Sequence, residues 1–243
     1  MPIANLKNVD IYHSYSGNGK VPLVFCHGLG GDSSKFEKED AKWYSQHFDL
    51  VCWDNRGLGR SGNSKKYSLP LYAQDLGDLL DYLEIEAAII FGVSWGGVLA
   101  QRFTLDYPEK CIALILDSTS SEVNKEASEI WYSQGEDAKS GNPLVKRDVK
   151  ESQVESFVAQ CRATAGLREH PLTSQISEIQ APTLIVAGGS DKVAGAGGSV
   201  IISRTIRNSK LHIFQESGHG TYALERENFR KLLLDFVQQL GLK

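Results

Sequence analysis

The chain has 243 residues, of which 41% are hydrophobic and 23% charged. This balance is typical of a folded globular protein and excludes a collagen, a disordered acidic chain and a disulfide-held miniprotein. Its 26 Lys and Arg residues against 30 Asp and Glu residues leave a formal net charge of −4. We therefore expect no nucleic-acid partner and no attraction to an anionic membrane surface.

The N-terminal segment, residues 1–12, carries Lys7 and Asp10 and has no unbroken apolar core, so we expect neither a secretory signal nor an anchor. The longest apolar stretches, such as Ala87 to Phe91, are far shorter than the roughly 20 residues of a membrane helix. The four cysteines show no paired spacing, which indicates reduced thiols in the core. These observations predict a cytoplasmic protein with no membrane partner.

Short β-rich runs alternate with amphipathic segments along most of the chain. Ile3 to Ser16 alternates loosely and predicts a hairpin, and continuous apolar runs further along are typical of strands covered on both faces. These runs are Val21 to Cys26, Leu50 to Trp53, Ala87 to Phe91, Ile112 to Leu116, Thr183 to Ala187 and Leu211 to Phe214.

Leucines at helical spacing predict packing helices over Tyr72 to Leu83 and Phe229 to Leu240. The polar, helix-prone stretch 120–180 interrupts the alternation. We therefore predict an α/β fold with a mostly parallel central sheet flanked by helices. Residues 1–119 and 181–243 would form its core, and residues 120–180 a small helical cap insertion.

The motif Gly92-Val93-Ser94-Trp95-Gly96 follows one predicted strand and precedes a helix-prone segment. A strand that turns abruptly into a helix strains the residue at the corner, and nearby glycines permit this because they lack a Cβ atom. The Ser94 hydroxyl would then project beside the N–H groups of a helix N-terminus. We predict that Ser94 is a nucleophile; the alternative is a glycine-rich connection with an incidental serine.

This arrangement resembles the α/β-hydrolase fold family over nearly the whole chain. His27-Gly28-Leu29-Gly30-Gly31 follows the first buried strand, as the oxyanion-loop motif of the family does. By this resemblance, the backbone N–H groups of Leu29 and Trp95 would bind an oxyanion. The elbow Gly92 to Gly97 is similar to that of polyhydroxyalkanoate depolymerases, whereas the length and layout resemble 3-oxoadipate enol-lactonases and small carboxylesterases.

A nucleophilic serine needs a base, and the base needs an orienting acid. His219 lies between two glycines in the loop after the last predicted strand, and we predict that it is the base; His27 would instead brace the oxyanion loop. Asp191 follows the strand Thr183 to Ala187, in the chain order Ser, Asp, His of this fold. We predict that Asp191 is the acid, with Asp117 as the alternative.

A second glycine-rich motif, Gly57 to Gly62, satisfies GxGxxG but does not open a helix, so it fails as a dinucleotide site. We interpret it as a structural turn held by hydrogen bonds among Asp54, Arg56 and Arg60. No group of His, Cys or carboxylate residues has metal-ligand spacing. We therefore expect no metal and no cofactor.

These residues predict a serine hydrolase that cleaves a small-molecule carboxylic ester or lactone. A receptor with little turnover on the same scaffold and a cofactor-free perhydrolase or haloperoxidase-like acyl transferase are the alternatives. Apolar residues of the insertion would line the substrate pocket. The candidates are Ile130, Trp131, Leu144, Phe157 and Val158.

Overall fold

The computed structural model describes residues 2–141 and 150–242. Within these ranges lie eight strands: β1 (Ile3–Leu6), β2 (Val9–Ser16), β3 (Pro22–Cys26), β4 (Asp49–Trp53), β5 (Ala88–Val93), β6 (Cys111–Asp117), β7 (Thr183–Gly188) and β8 (Ser209–Phe214). They form one sheet in the order β1-β2-β4-β3-β5-β6-β7-β8. The β1–β2 hairpin pairs antiparallel with β4, and every later pairing is parallel.

Helices cover both faces of this sheet. In the described part of the chain they are α1 (Ser34–Glu39), α2 (Ala41–His47), α3 (Leu69–Tyr82), α4 (Trp95–Asp106), α5 (Lys125–Lys139), α6 (Val154–Gly166), α7 (Gly195–Thr205), α8 (Thr221–Leu224) and α9 (Arg226–Gln239). The predicted α/β fold with a mostly parallel central sheet is confirmed. None of these helices is long and apolar enough to cross a membrane.

Two hydrophobic clusters, one on each face, explain why the strands are continuously apolar. In β5, Ile90 belongs to the cluster that includes residues of α3, α4 and α7, whereas Ile89 and Phe91 belong to the cluster that includes residues of α1, α2 and α9. Successive strand residues point to opposite faces. Because helices cover both faces, every position of the strand is buried against apolar side chains.

The turn between β4 and α3 differs from the sequence interpretation at one residue. Asp54 accepts hydrogen bonds from Arg60 as expected, with its Oδ2 atom 2.8 Å from Nε of Arg60. Arg56 instead forms two hydrogen bonds of 2.5 Å with the carboxylate of Asp75 on α3, and both side chains are buried. An ion pair with Asp75 therefore holds the turn against α3, and the sequence of the turn alone does not predict this partner.

The parallel strands place five loops at one edge of the sheet. The carboxyl ends of β3, β5, β6, β7 and β8 carry the loops that contain Gly28, Ser94, Ser118, Asp191 and His219, respectively. Helices α5 and α6 of the predicted insertion follow β6, which ends at this edge, and they pack against each other. The chemistry-bearing residues and the insertion thus share one side of the molecule.

Candidate active site

Ser94 occupies a sharp corner between β5 and α4. Its backbone has φ 56° and ψ −122°, a conformation that costs a non-glycine residue on the order of 1–3 kcal/mol. Three hydrogen bonds hold the corner: Ser94 N donates to the carbonyl of Asp117 (2.9 Å), and the carbonyl of Ser94 accepts from Gly97 N (2.9 Å) and Thr119 Oγ1 (2.7 Å). The end of β6 and the residues after it therefore help to hold Ser94 in its strained conformation.

Two glycines of the elbow allow the backbone to approach this closely. A Cβ atom on Gly96 would lie 2.1 Å from the carbonyl oxygen of Cys26 on β3, and one on Gly92 would lie 2.3 Å from the carbonyl oxygen of Gly96. Both distances are shorter than real contacts between such atoms. The G-x-S-x-G spacing is thus required by the packing of α4 against the sheet.

The loop after β3, His27 to Gly31, lies next to the elbow. A Cβ atom on Gly28 would be 3.7 Å from Cβ of Ser94. Nε2 of His27 accepts from the backbone N–H of Asn55 (3.2 Å), so its Nδ1 atom carries the proton and donates to the carbonyl of Gly28 (3.0 Å). Complete burial lowers the pKa of His27, which keeps the ring neutral in this bracing role.

Gln160 of α6 also holds this loop, and the sequence analysis did not identify it. Its Oε1 atom accepts a 2.7 Å hydrogen bond from the backbone N–H of Gly30, and its side chain is fully buried. The two residues are 130 positions apart. A helix of the insertion thereby fixes the loop that would carry one of the two oxyanion donors.

His219 and Asp191 form a hydrogen-bonded pair at the same edge of the sheet. Nδ1 of His219 lies 2.8 Å from Oδ2 of Asp191, and the other carboxylate oxygen accepts from the N–H groups of Val193 (2.7 Å) and Ala194 (3.1 Å). Burial of Asp191 opposes its ionisation, but the hydrogen bonds from His219 and the two N–H groups outweigh it and lower the pKa. Asp191 is therefore a carboxylate near neutral pH.

Asp117, the alternative acid, contacts the backbone behind His219. Its Oδ1 atom accepts from the hydroxyls of Ser118 (2.9 Å) and Thr221 (2.7 Å) and from Thr221 N (3.3 Å), and its Oδ2 atom accepts from Tyr222 N (2.9 Å). Complete burial raises its pKa despite these donors. Asp117 thus anchors the start of α8, directly after the histidine loop, while Asp191 contacts the imidazole ring.

A cavity of about 390 Å³ opens beside Ser94. Leu29, Trp95 and Trp131 contribute to its described lining. Two predicted lining residues are absent from that lining: Ile130 is 51% exposed on α5, and Phe157 is fully buried in the hydrophobic cluster of α3 and α4.

One further candidate also lies away from this cavity. Val158 lines a separate groove of about 1290 Å³ between α3 and the insertion helices, which does not include Ser94 among its described lining residues. We take the smaller cavity as the site because a nucleophile must reach its substrate. Leu144 lies outside the residues that the structure describes. Among residues 2–141 and 150–242, no cluster of His, Cys, Asp and Glu could hold a metal ion.

Comparison with known proteins identifies the family. The sequence model of the α/β hydrolase fold family matches residues 21–174, more than half of the chain. The chain therefore belongs to the α/β hydrolase fold family, as its motifs predicted.

Individual relatives are distant but match along most of the chain. The protein is 24% identical to 3-oxoadipate enol-lactonase 2 of Acinetobacter baylyi, over 89% of this chain and 91% of that protein. It is 26% identical to poly(3-hydroxyalkanoate) depolymerase of Ectopseudomonas oleovorans, over 90% of this chain and 84% of that protein. The solved structure of the enol-lactonase from Burkholderia xenovorans LB400 has a TM-score of 0.84 at 21% identity, covering 98% of this chain and 100% of that one.

Proposed function

We propose that the protein is a serine hydrolase that cleaves a carboxylic ester or lactone through an acyl-serine intermediate. The observation that carries this proposal is the strained Ser94 elbow at the sheet edge where His219 is hydrogen-bonded to Asp191. A serine hydroxyl barely ionises at neutral pH, so the histidine must accept its proton.

In the first step, Oγ of Ser94 attacks the acyl carbon while Nε2 of His219 accepts the hydroxyl proton. The N–H groups of Leu29 and Trp95 hold the oxyanion of the tetrahedral intermediate. His219 then protonates the leaving alcohol, or the ring oxygen of a lactone, and the acyl-serine remains. Each oxyanion donor contributes about 3 to 4 kcal/mol, and the base accelerates the reaction by about 10² to 10⁴.

In the second step, His219 accepts a proton from water, and the resulting hydroxide attacks the acyl carbon. Collapse of this intermediate returns the proton to Ser94 and releases the acid. Asp191 keeps the proton of the neutral imidazole on Nδ1, which leaves Nε2 free to act as base, and it stabilises the charged ring. All of these groups belong to the protein, so the reaction requires no cofactor.

The cavity beside Ser94, where the ester or lactone bond would lie, is small, at about 390 Å³, and includes Trp131, Val98 and Ile201 among its apolar lining. The names of an enol-lactonase and of a poly(3-hydroxyalkanoate) depolymerase among the relatives support the same bond type. A small acyl group with an apolar part fits this volume.

Labelling with a fluorophosphonate and hydrolysis of 4-nitrophenyl acetate and butyrate test the proposal. We expect one labelled residue, Ser94, and multiple turnovers that disappear in Ser94→Ala. Ser174→Ala, which removes an exposed hydroxyl bonded to the carbonyl of Pro171, serves as the matched control and should retain both. Label on another residue, or full turnover by Ser94→Ala, would refute the proposal. A single slow acylation would instead indicate a receptor, and peracid formation from acetate and hydrogen peroxide a perhydrolase.

A further inference from the structure

The residues that line the cavity beside Ser94 include an acidic one. In the described part of the chain, Glu122 is the one residue lining this cavity that carries a formal charge. Its neighbours there are apolar, small or neutral polar side chains, including Ser120, Asn124 and Trp131. A charge in a partly enclosed, largely apolar cavity acts more strongly on a ligand than one on an open surface.

Hydrogen bonds hold Glu122 in place. Its Oε2 atom accepts from the hydroxyl of Thr173 (2.6 Å), which itself bonds to the hydroxyl of Ser121 (2.7 Å). On the backbone, the hydroxyl of Ser120 donates to the carbonyl of Glu122 (2.5 Å) and accepts from its N–H (3.3 Å). No salt bridge to Glu122 forms among residues 2–141 and 150–242. No cationic side chain of the described residues therefore pairs with its carboxylate.

One feature of opposite sign faces the same cavity. Gly195, Gly197 and Gly198 of the first turns of α7 are part of the lining, and a helix N-terminus carries about half a positive charge. The carboxylate of Asp191 already accepts two N–H groups at this end, those of Val193 and Ala194. The full negative charge of Glu122 outweighs this contribution, so the wall remains negative overall.

We propose that the substrates of this site carry a cationic ammonium group on the part that occupies the cavity, and that Glu122 selects for it. Neutral esters of the same shape would have a lower kcat/KM, and esters that carry a free carboxylate would have the lowest. This inference rests on the proposed ester hydrolysis, because the preference is measured as a rate of hydrolysis. A charge pair at a few ångströms in a partly solvated cavity changes affinity by about tenfold.

The test compares three methyl esters that differ only at the end of a five-methylene chain: methyl 6-aminohexanoate, methyl heptanoate and monomethyl pimelate. Acid release at pH 7 gives kcat/KM for each. We expect the ammonium ester to exceed the heptanoate by about tenfold, and the heptanoate to exceed the pimelate. Glu122→Gln keeps an acceptor for Thr173 but removes the charge, so the ammonium-to-neutral ratio should fall to about one.

Glu129→Gln is the matched control, because Glu129 carries the same charge on the exposed surface of α5 and does not line the cavity. It should leave the ratio as in the wild type. A wild-type preference for heptanoate or pimelate, or an unchanged ratio in Glu122→Gln, would overturn the inference.

A binding measurement separates this inference from the proposed function. Thermal shifts in pentylammonium, 1-pentanol and pentanoate should show the same order in the wild type and no ammonium preference in Glu122→Gln. If no ester is hydrolysed, the proposed function fails while the thermal shifts still decide the role of Glu122. If the heptanoate is hydrolysed through Ser94 without an ammonium preference in either assay, the inference alone fails.

Discussion

The two carboxylates that contact the histidine loop should respond in opposite ways to the same Asp→Asn change. In Asp191→Asn, the amide oxygen should keep the place of Oδ1, because that atom accepts the N–H groups of Val193 and Ala194. The amide nitrogen then takes the place of Oδ2, which lies 2.8 Å from Nδ1 of His219. An NH₂ group donates, so Nδ1 must accept and the imidazole proton moves to Nε2.

An imidazole protonated on Nε2 cannot accept the proton of Ser94. We therefore expect kcat of Asp191→Asn to fall by about 10⁴, as for other triads in which this exchange fixes the wrong tautomer. At 1.36 kcal/mol per tenfold change, this corresponds to about 5.4 kcal/mol of transition-state stabilisation. The folding stability should change by about 1 kcal/mol or less, because both N–H donors keep their acceptor.

Asp117→Asn should lose stability and keep most of its activity. The amide oxygen should take the Oδ1 position, because that atom accepts three hydrogen bonds in the wild type. The NH₂ group then takes the Oδ2 position and faces the N–H of Tyr222, which bonds to Oδ2 in the wild type. One buried donor then lacks an acceptor, at a cost of about 1–3 kcal/mol. A domain of this size loses roughly 2–4 °C in Tm per kcal/mol.

Hydrolysis of 4-nitrophenyl butyrate and thermal unfolding by circular dichroism measure the two effects separately. Both variants should be assayed at a temperature well below the Tm of Asp117→Asn. If Asp117→Asn then loses more activity than Asp191→Asn, the acid of the triad is Asp117 and the reasoning from the 2.8 Å contact is wrong.

Three further substitutions test other contacts. Gln160→Leu removes the acceptor that fixes the oxyanion loop, so kcat should fall by about tenfold or more with a smaller change in KM; an unchanged kcat would exclude this role. Asp75→Asn leaves the buried charge of Arg56 without its partner and should lower the free energy of unfolding in urea by about 3–5 kcal/mol; a loss below about 1 kcal/mol would contradict this. Burial of Asp54 opposes ionisation, but hydrogen bonds, first that from Arg60, outweigh it and lower the pKa. Its stabilisation is thus complete above the unfolded value of about 3.9 and is lost as pH falls toward the lower folded value. Acid titration of Asp54→Asn should show lower stability at pH 7 and a shallower decline below about pH 4; an equally steep decline would show that Asp54 does not drive it.

The central strands were predictable from sequence because both of their faces are covered. Each of the six apolar runs overlaps an observed strand, and β5 extends the run Ala87 to Phe91 by two residues to Val93. Helix α1 was not predicted, because it has only 6 residues and one buried side chain. Helix α3 begins at Leu69 rather than Tyr72; Ser68 caps it and Pro70 lies in its first turn, a signal that the leucine spacing overlooked.

The candidate catalytic residues were easier to predict than the residues that line the cavity beside them. Glycine-flanked motifs at strand ends locate Ser94 and His219 because the backbone there must bend sharply. Helices of the insertion carry no such marker. Ile130 and Trp131 are consecutive on α5, so their side chains point about 100° apart, and only Trp131 reaches the described lining of the cavity. The hydrogen bond between Gln160 and the oxyanion loop joins residues that are 130 positions apart, and no local sequence pattern predicts it.

That bond has a consequence for attempts to redesign this protein by exchanging whole segments. The stretch between β6 and β7 is an obvious module to transplant from a relative with different specificity. A chimera made this way would also remove the buried amide of Gln160, which accepts from Gly30 N. Such a graft should therefore keep glutamine at the structurally equivalent position of its second helix, or slow turnover could be mistaken for a poorly fitting substrate.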